Sequence, residues 1–195
     1  VGIDAEMAKA LADALDMKLV TQDTEFGSII GGVQTGKYDL GASGISVDPE
    51  REENTLFTVP YCLAAQAIVV LKDSPITCKA DLDGKTVAVQ TGTTAEKFCM
   101  ASGYTVNAYA ANADAQQALL TGKVDCVVID NEPAKAFVEA NEGLKILDTA
   151  YAVEEYAAAM NKDNTALYEA ANKALEELIA DGTVAAIVAK YIPAE

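Results

Sequence analysis

The chain has 195 residues, with 14 Lys and Arg against 30 Asp and Glu, no His, no Trp and four Cys. A net charge of −16 argues against a nucleic-acid surface and against a peripheral helix on anionic lipid, since both need clustered basic residues. Without His there is no Ser–His or Cys–His nucleophile and no His-ligated metal, and no metal or cofactor is expected. Apolar residues make up 51% and charged residues 23%, a globular balance with enough chain for one or two cores. No apolar run reaches the roughly 18 residues of a membrane span. No charged-then-apolar leader opens the chain, so the signal of an exported form would lie outside it.

In chain order, residues 4–15 place Met7, Ala8, Leu11, Ala12 and Leu15 at helical spacing. Lys18-Leu19-Val20-Thr21 reads as a strand. A short helix follows over 28–35, stopped by Gly36, which suits a left-handed cap, and then a strand over 38–42. Residues 66–71 and 86–90 read as strands, and 94–101 and 113–121 as helices. A strand over 124–129 leads into a helix over 133–141. Leu167, Ala170, Ala171, Ala174, Leu175 and Leu178 form one stripe, stopped by Asp181-Gly182, and a last short helix carries Val184, Ile187, Val188 and Tyr191.

The alternation of strands and helices predicts an α/β protein. Thr35-Gly36-Lys37-Tyr38-Asp39-Leu40 recurs as Thr121-Gly122-Lys123-Val124-Asp125-Cys126, each copy closing a helix and opening a strand. Two copies suit two lobes of similar topology better than a solenoid. Extended crossovers are expected at 60–66 and 153–157, giving one lobe from 1–64 plus 155–195 and another from 65–154. Two crossing strands make a hinge. Cys62, Cys78, Cys99 and Cys126 form no C-x-x-C pair; Cys126 reads as a core thiol, Cys78 and Cys99 sit in turn-like contexts that permit pairing, and the disulfide state stays open.

Four constellations carry chemistry. In Ser43-Gly44-Ile45-Ser46-Val47-Asp48-Pro49-Glu50-Arg51, Asp48 is a good N-cap and Pro49 suits the first helical turn. That sets Arg51 past a strand's carboxyl end, where its fork suits a carboxylate; the competing reading is a surface Arg paired with Glu50, Glu52 or Glu53. In Gln90-Thr91-Gly92-Thr93-Thr94-Ala95-Glu96, Thr93 and Glu96 have capping-box spacing, and the helix start is either an anion site or a plain cap. Asp130, after a strand, is either an acceptor for an ammonium or an N-cap. Phe26, on a turn, either stacks on a ligand or packs in the core. Together an Arg, a helix start and an Asp describe recognition of a free α-amino acid, with pieces from both expected lobes.

These motifs resemble the bacterial extracellular solute-binding proteins for polar amino acids, the receptors of ABC importers. The resemblance runs from Val1-Gly2-Ile3-Asp4 through Gly36-Lys37-Tyr38-Asp39, the Ser43–Arg51 segment, Leu82-Asp83-Gly84-Lys85, Gln90–Thr94 and Val128-Ile129-Asp130 to Asp181-Gly182-Thr183. It implies a two-lobed, type II periplasmic-binding-protein-like fold with two hinge crossovers. It implies that Arg51 binds the ligand α-carboxylate with Ser46 and Thr94, that Asp130 and the Gly44 carbonyl hold the α-amino group, that Phe26 stacks on the side chain, and that Gln90 makes a polar side-chain contact. It further implies an ABC transporter permease as partner and an extracytoplasmic location, periplasmic or lipid-anchored. The family carries a strand and loop ahead of the position of Val1, a segment missing from this chain; with that strand present the protein is expected to be a monomer. Rival readings are a cyclohexadienyl or arogenate dehydratase-like enzyme on the same fold, with Glu132, Glu155 or Lys97 as acid–base candidates, and a sensor domain of a membrane receptor.

Overall fold

A computed structural model describes residues 2–148 and 153–192. Helices and strands follow in the order α1 (Ile3–Ala14), α2 (Ile29–Gln34), β1 (Leu40–Gly41), α3 (Pro49–Glu52), β2 (Thr55–Phe57), β3 (Cys62–Leu71), β4 (Thr86–Gln90), α4 (Thr94–Ala101) and β5 (Thr105–Tyr109). They continue with α5 (Asn112–Leu120), β6 (Cys126–Asp130), α6 (Asn131–Ala140), β7 (Leu144–Ile146), β8 (Val153–Tyr156), β9 (Ala159–Asn161), α7 (Thr165–Ala180) and α8 (Thr183–Tyr191). The chain forms two compact units. The first comprises Val1–Thr24, Ser28–Leu63 and Glu155–Glu195; the second comprises Glu25–Gly27 and Ala64–Glu154.

The second unit is built on a mixed sheet in the order β5-β4-β6-β3-β7. β4 runs parallel to β5 and β6, and β3 runs antiparallel to β6 and β7. Alternation along the strands feeds two cores. Ala67, Val69, Val127 and Ile129 face α5 and α6 through Leu119 and Phe137, while Ile68, Val70, Cys126 and Val128 face α4 through Ala95 and Cys99. Both faces of the central strands are therefore apolar, which is why they read as continuous hydrophobic runs. Burial pushes the Cys99 and Cys126 thiols up to about 12, so both stay protonated and unreactive at neutral pH. No disulfide joins any of the four cysteines, and Cys99 lies fully buried inside α4 rather than in a turn-like position suited to pairing with Cys78.

The first unit has a small antiparallel sheet in the order β1-β9-β2. Its core joins Met7 and Leu11 of α1, Met160 of β9, Ala171 and Leu175 of α7, and Val184 of α8. Gly36 and Gly182 both adopt left-handed φ, at +71° and +86°, where the expected stops fall. The Glu6 carboxylate ties α1 to α8: it accepts the Tyr191 hydroxyl at 2.6 Å and pairs with Lys190, whose ammonium holds it below the usual carboxylate range.

The structure departs from the sequence pattern in definable ways. Residues 18–21 form no strand; they find no ladder partner among the described residues, and Val20 is 77% exposed. The strand expected over 38–42 shrinks to Leu40–Gly41. Four strands escape periodicity: β2 and β7 are three residues long, β5 is a largely exposed edge, and β9 begins on the last alanine of the helix-favouring run Ala157-Ala158-Ala159. Pairing of β9 on both sides overrides that local propensity. Val1 and Pro193-Ala194-Glu195 lie outside the described residues.

Candidate functional site

In the first unit, the segment from Ser43 to Arg51 is pinned by backbone bonds. Val47 N–H donates to the Glu155 carbonyl at 2.9 Å, and Ala157 N–H donates to the Ile45 carbonyl at 3.0 Å. Gly44 sits at φ +57°, and its N–H donates to Asp4 Oδ1 at 3.1 Å. The same Asp4 oxygen accepts the Tyr61 hydroxyl, and burial together with this carboxylate holds the Tyr61 proton well above its ordinary range. A Cβ on Gly44 would stand 3.3 Å from the Tyr156 ring, so Gly serves both the turn and the close approach.

Asp48 caps α3 as expected, accepting from the N–H groups of Glu50 and Arg51 at 3.0 and 3.2 Å, with Pro49 in the first turn. The cap fixes where Arg51 points. It is not a surface arginine: it is 8% exposed, and Nη1 donates to the Ser46 carbonyl at 2.7 Å. Ser46 is itself buried and bridges to Tyr156. The guanidinium is a planar fork of N–H donors, a shape that suits a carboxylate.

In the second unit, Thr93 caps α4 by accepting the Glu96 N–H at 3.2 Å. Glu96 reaches one residue further than a capping box requires and takes the Gly92 N–H at 2.6 Å. Gly92 has φ +80°, and a Cβ there would lie 2.9 Å from Gly27 Cα, in the turn that carries the half-buried Phe26. Gly92→Ala is therefore expected to lower stability by about 1–3 kcal/mol, the cost of left-handed strain plus a backbone clash. Urea denaturation checks it, and an unshifted midpoint refutes it.

Asp130 stands at the N-cap position of α6 but makes no side-chain cap bond. Instead its Oδ1 accepts from Gln66 Nε2 at 2.6 Å. Gln66 Nε2 also lies 3.3 Å from Thr94 Oγ1 and 3.3 Å from Glu154 Oε1, and Thr94 Oγ1 donates to Glu154 Oε2 at 2.9 Å. Thr94 and Asp130 thus meet around one buried amide. Gln90 does not join them; its Nε2 donates to the Ala110 carbonyl at 3.1 Å.

Sequence reasoning missed Gln66 and Glu154. For Gln66 a signal existed, a lone amide within Leu63-Ala64-Ala65-Gln66-Ala67-Ile68-Val69-Val70. For Glu154, one of two adjacent acids in Val153-Glu154-Glu155-Tyr156, none did. Among the described residues no group of three or more acidic or Cys side chains is placed to hold a metal, and no helix is long and apolar enough to cross a membrane.

One unit carries a buried, backbone-anchored Arg, and the other a hydroxyl and carboxylates gathered on an amide. These are marks of a two-lobed binding protein for a small charged ligand. The chain belongs to the bacterial extracellular solute-binding proteins, family 3, whose model it matches over residues 1–194. It is 31% identical over 200 residues to the ABC transporter arginine-binding protein 1 of Escherichia coli K12, covering 99% of this chain and 82% of that protein. It is 30% identical over 201 residues to the arginine-binding extracellular protein ArtP of Bacillus subtilis 168, covering 100% and 79%. A solved ancestral arginine-binding protein bound to glutamine superposes with a TM-score of 0.93 at 39% identity, covering 100% of this chain and 88% of that one.

Proposed function

We propose that this protein binds a free amino acid, with arginine first among candidates, and delivers it to the permease of an ABC importer outside the cytoplasm without chemical change to the ligand. The buried Arg51 carries the reading. A desolvated zwitterion must have both charges met by charge-assisted hydrogen bonds. In this assignment Arg51, Ser46 and Thr94 take the α-carboxylate, Asp130 and the Gly44 carbonyl take the α-ammonium, and Phe26 stacks on the side chain. Gln90 is assigned a polar contact with the ligand side chain. In this assignment the lobes are 1–64 plus 155–195 and 65–154, whereas the second compact unit also takes in Glu25–Gly27 and Ala64. The names of the relatives support arginine, and the glutamine-bound structure supports a scaffold that also accepts other polar side chains.

A thermal-shift screen against the twenty amino acids tests this. At one hundred times Kd a ligand stabilises by about 2.7 kcal/mol, several degrees for two domains of this size. Arginine is expected to give the largest shift. A flat screen on folded protein overturns the reading.

A further inference from the structure

Gln66 interrupts an apolar strand and is 4% exposed. Burying an amide is tolerable when each of its polar atoms is paired, and here its two ends differ. Nε2 faces Asp130 Oδ1 at 2.6 Å, Glu154 Oε1 at 3.3 Å and Thr94 Oγ1 at 3.3 Å. The carboxylate oxygens only accept, and the Thr94 proton is directed at Glu154 Oε2. Turning the amide over would set oxygen against oxygen, so the nitrogen is fixed toward this cluster. Its Oε1 is then a buried acceptor without a hydrogen-bond partner.

We propose that Gln66 is a further ligand-contacting residue, and that its Oε1 accepts a hydrogen bond from the ligand's α-ammonium beside Asp130. This rests on the amino-acid-binding reading above. Oε1 shares its carbon with the nitrogen that touches Asp130 at 2.6 Å, so it lies no further from the carboxylate assigned to the ammonium than that bond plus one amide width. An ammonium carries three protons directed apart, and a neutral oxygen takes one without adding charge. The group that satisfies Oε1 must be a donor, so an α-keto or α-carboxylate oxygen in its place would be rejected. Glu154 acts as a positioning residue here, holding the nitrogen end and thereby aiming the oxygen.

The test is Gln66→Met in the full chain, which keeps the apolar stem and approximate volume and removes the Oε1 acceptor together with the Nε2 donor. Titration calorimetry, with competition for weak binders, compares L-arginine with 5-guanidinopentanoate, the same molecule without its α-amino group. The variant is expected to weaken L-arginine by roughly tenfold or more and to move 5-guanidinopentanoate by less than about twofold. Should Gln66→Met fail to fold, Gln66→Leu is read in the same way. An unchanged arginine affinity overturns the inference, as does an equal loss for both ligands. A wild-type chain that binds no amino acid overturns the amino-acid-binding reading and this inference with it.

Discussion

Arg51→Ala is expected to abolish amino-acid binding while the chain stays folded. The guanidinium is buried, so its attraction for a carboxylate is weakly screened, and it is already aimed by the Asp48 cap and the Ser46 carbonyl. Two charge-assisted bonds to an α-carboxylate contribute about 3 kcal/mol or more, which is roughly a hundredfold in Kd. The substitution also removes the bond to Ser46, a loss of about 1–2 kcal/mol that a two-domain protein survives. Arg51→Lys keeps the charge but not the planar fork and is expected to fall between. Calorimetry against L-arginine, with circular dichroism as the folding control, decides the point. Retained affinity in Arg51→Ala removes Arg51 from the site.

Asp130→Asn is expected to weaken binding by more than tenfold. The change is nearly isosteric, so packing is kept, but an acceptor-only carboxylate becomes an amide with a donor end. If the new oxygen stays on Gln66 Nε2, where Asp130 Oδ1 now lies at 2.6 Å, the new NH₂ faces the ligand ammonium. If it turns round, two amide nitrogens face each other. Either arrangement loses a charged bond of about 1.5–3 kcal/mol. A change below about twofold would show that Asp130 serves only to hold Gln66.

Much of the fold is legible because its elements obey simple periods. The strand over 86–90 and the helix over 94–101 fall where the pattern sets them, since both pack one defined face on a core. The turn glycines Gly36, Gly122 and Gly182 are legible because left-handed φ favours Gly, and all three adopt it. β9 is not legible: the alanine run that leads into it favours helix, and partners on both sides make it a strand. Residues 18–21 fail in the opposite sense, with strand propensity but no partner among those described.

The chain's sequence by itself determined the chemistry available. With 195 residues, no His and a charge of −16, His-ligated metal chemistry and a nucleic-acid surface are disfavoured, and an Arg, an Asp and a helix start remain as candidate binding groups. Those are properties of residue type and of spacing along one segment. Tertiary structure decided how they are used. Arg51 is buried rather than on the surface, and Asp130 faces Gln66 rather than its own helix. Gln66 and Glu154, 88 positions apart, share one hydrogen-bond network. No local pattern carries that last fact, because a hydrogen bond between distant residues is set by the ladder that brings their strands together, and the sequence encodes that ladder only through the fold as a whole.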